Sequence, residues 1–289
     1  MNRKKLVALV MVLALAFTTL IGGTLAYFTD TDNATNTFTM GGVDIEQYEK
    51  DRNGNEFVQN QTLLPIVNDK KDENGYHMGG NYIDKIVTVK NTGKSPAYIR
   101  THIAVPAALD NADPDFDASL NVLHWNGASA SDTKGFANWG GTLENDWYWT
   151  DYDKDGFTTD WPDDEHPWNH YYVYIDGVKY CVYVATHKAE VAPGAVTAPN
   201  LMGVYLDAKV DCKLNSDGTY TYYFMENGKE VVVDLSVTDV LVVSEAVQSE
   251  GFTDLNENGS AADEALNKAF GELGKYCPFA GGSIEEPQA

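Results

Sequence analysis

Two dipeptides constrain this chain more than any other feature: Asp176-Gly177 and Asn227-Gly228, each set between runs rich in Tyr, Val and Phe. A two-residue connection of this kind closes a type I′ turn, in which both central residues take positive φ, and it joins antiparallel neighbours. Residues 171–175 and 178–185 therefore read as one hairpin, and 219–226 with 229–235 as a second. Upstream, 82–90 and 97–105 are β-branched and alternating, with the turn residues Asn91-Thr92-Gly93-Lys94-Ser95-Pro96 between them. They are expected to form an antiparallel pair. On its second strand Ala97, Ile99, Ile103 and Val105 would face the core, leaving Tyr98, Arg100 and His102 on the other face, with His102 at or near the surface. Residues 201–214 and 236–243 supply further strands, and 63–67 a short apolar piece. From 35 to 48, Phe38 and Met40 share one parity and Val43 and Ile45 the other, with Gly41-Gly42 placed to allow a bulge.

Helical patterning is confined to the C-terminal part. Leu266, Ala269, Phe270 and Leu273 stand at i, i+3, i+4 and i+7, and Gly274 follows as a stop. Residues 110–170 break the alternation: they are rich in Asp, Asn and Gly and hold all six tryptophans. An irregular stretch of that length in a compact domain is usually functional, and its tryptophans point to packing. The fold class expected is all-β, an antiparallel sandwich or jelly roll with a long Trp-rich insertion and a short C-terminal helix. The division expected is a signal segment at 1–26, a β domain at 27–250 and a helix with polar tail at 251–289.

The N-terminus reads as an address. Arg3-Lys4-Lys5 precedes an apolar run from Leu6 to Ile21, about 16 residues, short of the roughly 20 that a membrane-spanning helix needs. Thr24 and Ala26 sit at minus three and minus one of a small-residue cleavage site, which makes Tyr27 the mature N-terminus; an uncleaved anchor is the alternative. No C-terminal apolar span and no Leu-Pro-x-Thr-Gly motif occurs, so no membrane span is expected in the mature chain. The whole chain has 20 Lys and Arg against 43 Asp and Glu, net −23. Such acidity repels nucleic acid and anionic lipid and favours divalent cations or basic partners. The three cysteines, Cys181, Cys212 and Cys277, allow either one bridge and a free thiol or three free thiols, and their spacing carries no zinc signature.

The stretch Gly22-Gly23-Thr24-Leu25-Ala26-Tyr27-Phe28-Thr29-Asp30-Thr31-Asp32, continued by Asn36-Thr37-Phe38 and Val43-Asp44-Ile45, resembles the N-terminal signature of the TasA and camelysin family of Gram-positive bacteria. The resemblance covers about the first 46 residues closely. It implies processing by a signal peptidase of the SipW type, secretion to the extracellular matrix or cell surface, a jelly-roll protomer, and self-association or association with other matrix proteins. In fibre-forming relatives the segment after the signal acts as a donor strand for a neighbouring subunit. Here that segment is Tyr27 to Met40, with Phe28 and Phe38 as anchors; a first strand folded into its own sheet is the alternative. An unpaired strand edge can accept such a segment by main-chain hydrogen bonds.

Two acidic loops have calcium-ligand spacing. Asp151-x-Asp153-x-Asp155-Gly156 places oxygen ligands at alternate positions with a glycine at the sixth. Position twelve is Pro162, so Asp160 or the acids at 163–165 would have to close the coordination sphere. Between Glu144 and Glu165 nine acids face one base, Lys154, a repulsion that a cation would relieve. Asp254-x-Asn256-x-Asn258-Gly259 is a weaker echo.

Camelysin is described as a metallopeptidase, yet no His-Glu-x-x-His occurs. His166 and His170 are four apart, with Pro167 and no glutamate between them, so the general base is missing from its place. The functional expectation is an exported structural protein of the matrix or cell surface without catalysis. The alternatives are a camelysin-like secreted metalloendopeptidase and a glycan-binding module using the aromatics of 125–174.

Overall fold

The computed structural model describes residues 42–58, 61–67, 79–110, 122–125, 146–149, 170–250 and 261–284. Those residues form twelve strands and two helices. In chain order they are β1 (Ile45–Lys50), β2 (Ile83–Asn91), β3 (Ala97–Pro106), α1 (Ala107–Asp110), β4 (Leu123–Trp125), β5 (Trp147–Trp149), β6 (Tyr171–Ile175), β7 (Val178–His187), β8 (Leu201–Leu206), β9 (Asp211–Leu214), β10 (Tyr220–Glu226), β11 (Lys229–Val233), β12 (Leu241–Gln248) and α2 (Ala261–Phe270).

The strands make three antiparallel sheets. The first runs β1-β2-β8-β4 and the second β12-β3-β7-β5, with β6 also against β7; the third, smaller sheet runs β11-β10-β9. The first two are the layers of a sandwich. Its largest buried cluster joins Ile83 and Val87 of β2 and Leu201, Val204 and Leu206 of β8 to Ile103 and Val105 of β3 and Cys181 and Tyr183 of β7. The chain passes from one layer to the other between β2 and β3, β3 and β4, β4 and β5, and β7 and β8, and returns by way of the small sheet to β12, which is jelly-roll character. The all-β expectation holds.

Both Asx-Gly hairpins form. Asp176 and Gly177 have φ of 49° and 81°, and Asn227 and Gly228 have 49° and 75°, the left-handed values that this turn requires. The pairing expected between 82–90 and 97–105 does not form. β2 pairs with β1 and β8, whereas β3 pairs with β12 and β7. Asn91 explains the change: its side-chain amide donates to Val191 O at 2.8 Å and Ser95 O at 2.9 Å, turning the chain through a corner from one sheet to the other. The stretch 201–214 is likewise split between β8 in the sandwich and β9 in the small sheet. The last strand lies at Leu241–Gln248 rather than 236–243, because Val240 and Thr238 are buried as connecting chain before the ladder to β3 begins.

The expected parity of β3 is right and its environment is not. Ala97, Ile99, Ile103 and Val105 do face the inter-sheet core, but the opposite face is buried as well, and all ten residues of β3 are inaccessible. The C-terminal region covers it. α2 packs Ala262, Ala265 and Leu266 on Tyr98 and Val247, while Leu273 and Phe279 pack on Ala104, Val182, Val184 and Val243. The helix spans Ala261–Phe270 and ends before Gly271 at φ +112°, so Leu273 of the apolar period lies beyond it and the stop is at Gly271 rather than Gly274. Asp263 in its first turn accepts from Thr186 Oγ1 at 2.9 Å and from Tyr148, a carboxylate placed where the helix dipole favours one. No described helix is long and apolar enough to cross a membrane.

Candidate functional site

The place where the N-terminal segment reaches the sandwich is built by the corner at 91–95. Thr92 N and Gly93 N both donate to Asp44 O, at 2.7 and 3.0 Å, and Lys94 N donates to Gly42 O at 3.0 Å. Gly93 is required here, since a Cβ would lie 2.6 Å from Asp44 N and 2.7 Å from Gly42 O. Gly42 itself takes φ +83°. This clamp fixes the direction from which the chain arrives before it becomes β1.

β1 is an edge strand, paired with β2 from Ile45↔Asn91 to Lys50↔Ile86. Its far end is partly covered, because Phe57 N donates to Glu49 O at 2.9 Å. Among the described residues, nothing pairs with the outer edge from Ile45 to Tyr48. A directed chain of hydrogen bonds holds that edge against the opposite layer. Asn200 Nδ2 donates to Thr101 Oγ1 at 2.8 Å; Thr101 and Ser244 share a bond of 2.9 Å; Ser244 Oγ donates to Gln47 Oε1 at 2.8 Å; and Gln47 Nε2 donates to Val242 O at 3.1 Å. Buried polar groups are tolerated when satisfied in this way, and the chain divides the core into two apolar compartments.

A second polar cluster lies beneath the C-terminal cover. Glu245 is its hub: Arg100 Nε donates to Oε2 at 2.8 Å, His102 Nε2 lies 3.1 Å from the same oxygen, and Tyr276 OH donates at 2.7 Å. Arg100 also donates to Asn267 Oδ1 at 2.7 Å, to Tyr276 OH and to Gly271 O, so one guanidinium ties β3 to α2 and the segment beyond it. His102 Nδ1 faces Tyr171 OH at 3.0 Å. Burial holds the His102 imidazole below its ordinary value and the Tyr171 hydroxyl well above its own. At neutral pH the ring is therefore uncharged, donating from Nε2 to Glu245 and accepting at Nδ1 from Tyr171. Burial pushes the Glu245 carboxyl up, and His102, Arg100 and Tyr276 outweigh it, bringing it down to about 2. Arg100 is the permanent charge that balances Glu245, and the attraction of His102 adds to it once the ring is protonated in acid. His102 is thus fully buried, against the expectation of a surface position. The cluster's charged centre, Arg100, His102 and Glu245, is buried, and its chemistry is that of a latch.

Smaller constellations complete the inventory. Lys85, almost wholly buried at a bulge of β2, pairs with Glu49 and lies 4.4 Å from the Phe57 ring. His124 Nε2 is 2.8 Å from Asp207 Oδ2. Burial raises the Asp207 carboxyl, and His124 with the Lys209 amide brings it below its ordinary value. None of the three cysteines forms a disulfide: Cys181 is buried in β7, Cys212 exposed and Cys277 half-buried. Among the described residues, no three His, Cys, Asp or Glu side chains converge as metal ligands.

The residues singled out from the sequence lie outside the described residues. This applies to Ala26 and Tyr27 at the cleavage site, to Phe28, Phe38 and Met40 of the donor segment, to Asp151, Asp153, Asp155 and Asp160, and to Asp254, Asn256 and Asn258. Of the two histidines four apart, His170 is described, 3.3 Å from Tyr172 OH. Of the tryptophans, Trp125 and Trp147 are buried. The sequence reading missed Glu245, Arg100 and Gln47; the signal available was polar residues inside otherwise apolar strand runs.

The sequence model of the camelysin metallo-endopeptidase family matches residues 2–77. The match covers about a quarter of the chain, at its N-terminal end. The match bears out the resemblance to the TasA and camelysin family, and the matched residues take in β1, the Gly42 clamp and the short apolar piece at 63–67. No curated protein and no solved structure matches the chain.

Proposed function

We propose that this is an exported structural protein of the extracellular matrix or cell surface of a Gram-positive bacterium. In this reading its subunits join when the mature N-terminal segment, Tyr27 to Met40, adds as a strand to an open sheet edge of a neighbour. The observation that carries the reading is the junction at Gly42. Residues 27–40 lead, through Gly42, into an edge strand whose first four residues have an outer edge with no partner among the described residues, and a backbone clamp fixes where the chain arrives. A strand edge of that kind accepts extended chain by main-chain hydrogen bonds, with alternate side chains supplying specificity. Export follows from the signal segment, with a SipW-type peptidase cutting after Ala26 and freeing the donor strand. Electron microscopy of the processed chain tests the reading: filaments are expected, and Phe28→Asp with Phe38→Asp abolishes them while leaving the fold's thermal unfolding unchanged. Filaments that survive both substitutions overturn it.

A second reading, a camelysin-like secreted peptidase, is favoured by the description of the matching family as a metallo-endopeptidase. Cleavage of a protein substrate that is lost with a chelator and restored with zinc would establish it in place of the first. In either case calcium is proposed for Asp151, Asp153, Asp155 and Asp160. Calorimetric titration is expected to show binding that Asp153→Asn with Asp155→Asn weakens at least tenfold, as loss of two charged ligands requires.

A further inference from the structure

The small sheet β9-β10-β11 stands apart from the layers in its exposure. Phe224 and Val233 anchor one of its faces to the core, yet Leu214, Tyr220, Met225 and Val232 are 65, 49, 60 and 64% exposed. Both of its outer strands are edges: among the described residues β9 and β11 pair only with β10. Exposed apolar edges of this kind are templates for pairing, and proteins usually guard them with charge, proline or a bulge. β11, Lys229-Glu230-Val231-Val232-Val233, carries one charge of each sign. Its Glu230 is also held inward by Lys213 of β9 across the sheet.

We infer that β11 is a self-pairing edge, which joins two copies of the chain by antiparallel β11–β11 contact about a two-fold axis centred on Val231. Charge selects the register. A two-fold antiparallel pair keeps side chains of the same parity opposite each other, so the axis can pass only through a residue. Centred on Glu230, two carboxylates would face each other. Centred on Val232, Glu230 would face the partner copy's Asp234. Centred on Val231, Lys229 lies opposite Val233 and Glu230 opposite Val232, with no like charges opposed. Like charges directly across a strand pair are destabilising, which also excludes an axis through Lys229, and an axis through Val233 would carry the pairing beyond the strand, so the Val231 register is the one available. Exposed Val232 then lies between Tyr223 of β10 and the partner copy's Glu230 on the open face of a six-stranded sheet. A five-residue edge buries far less than the roughly 1,600 Å² of a standard stable interface, so the contact is weak and concentration-dependent. It does not use the N-terminal segment and stands independently of the strand-donation reading.

Sedimentation velocity of the purified chain over a concentration series tests the inference, with substitutions at exposed Val232. Val232→Glu sets a carboxylate opposite Glu230 twice, once in each symmetric half, and is expected to weaken self-association about tenfold. Val232→Lys sets an ammonium there instead and is expected to match or exceed the unmodified chain. An apolar patch without this register would lose equally with either charge, and that result overturns the inference, as does a monomer at all concentrations. Hydrogen exchange of the unmodified chain gives a readout free of any substitution: amides of 229–233 gain protection with concentration. Phe28→Asp with Phe38→Asp leaves this dimer intact, which separates its failure from failure of strand donation.

Discussion

At the scale of single residues, the Glu245 hub decides how firmly the C-terminal cover is held. Removing one partner of a buried ion pair costs about 3 to 5 kcal/mol, because the other charge is left buried and uncompensated. Glu245→Gln keeps the shape and is expected to lower the unfolding free energy by about 3 kcal/mol in urea titrations at pH 7. The same hub sets an acid response. Glu245 is held at about 2 against an ordinary 4.5, so its contribution is complete above 4.5 and is lost as pH falls from there towards 2. His102 is held below 6.5, so it too favours the folded state above that value and costs stability as pH falls below it. The gap between the parent chain and Glu245→Gln should therefore narrow between pH 4.5 and 2; a gap that is constant with pH would place the stabilisation elsewhere. None of this was legible from β3 alone. Its parity is readable, but the cover on its second face comes from residues about 170 positions later, and no local pattern encodes that contact.

At the scale of elements, turns were the most informative sequence signal and also the most misleading. Asp176-Gly177 and Asn227-Gly228 give their hairpins directly, since few residues other than Gly and Asn accept the backbone angles that such a turn needs. Asn91 to Pro96 has similar composition but sends the chain between sheets, because Asn91 spends its amide on Val191 and Ser95, and Gly93 lies against Asp44. Turn composition reports that the chain reverses and not which layer it reverses into. Gly93→Ala tests the clamp that this corner makes. Its methyl would press on backbone atoms of residues 42–44, which cannot swing away as a side chain does, and a loss of about 1 to 3 kcal/mol is expected. Hydrogen exchange should show the loss first in β1, with β3 and β7 retaining their protection. Uniform loss across the sandwich would mean that the corner supports the whole fold rather than the start of β1.

At the scale of the whole molecule, the chain carries two acidic stretches, a Trp-rich stretch and an N-terminal segment that matches the camelysin model, beside a sandwich whose main described polar clusters are buried. The sandwich was legible in the alternation and turns of its strands. The candidate site was legible only as an N-terminal signature, since the edge it meets depends on a four-strand order that sequence spacing does not specify. The central claim is that residues 27–40 of one subunit pair with another subunit. Cross-linking between isotopically distinct chains measures this directly. Unlabelled chain bearing a photo-reactive residue at Thr37 is mixed with fully nitrogen-15-labelled chain before processing and assembly, and the cross-linked peptides are read by mass spectrometry. Cross-links into labelled strand peptides in proportion to the mixing ratio are predicted; cross-links confined to unlabelled peptides of the same chain would contradict the account.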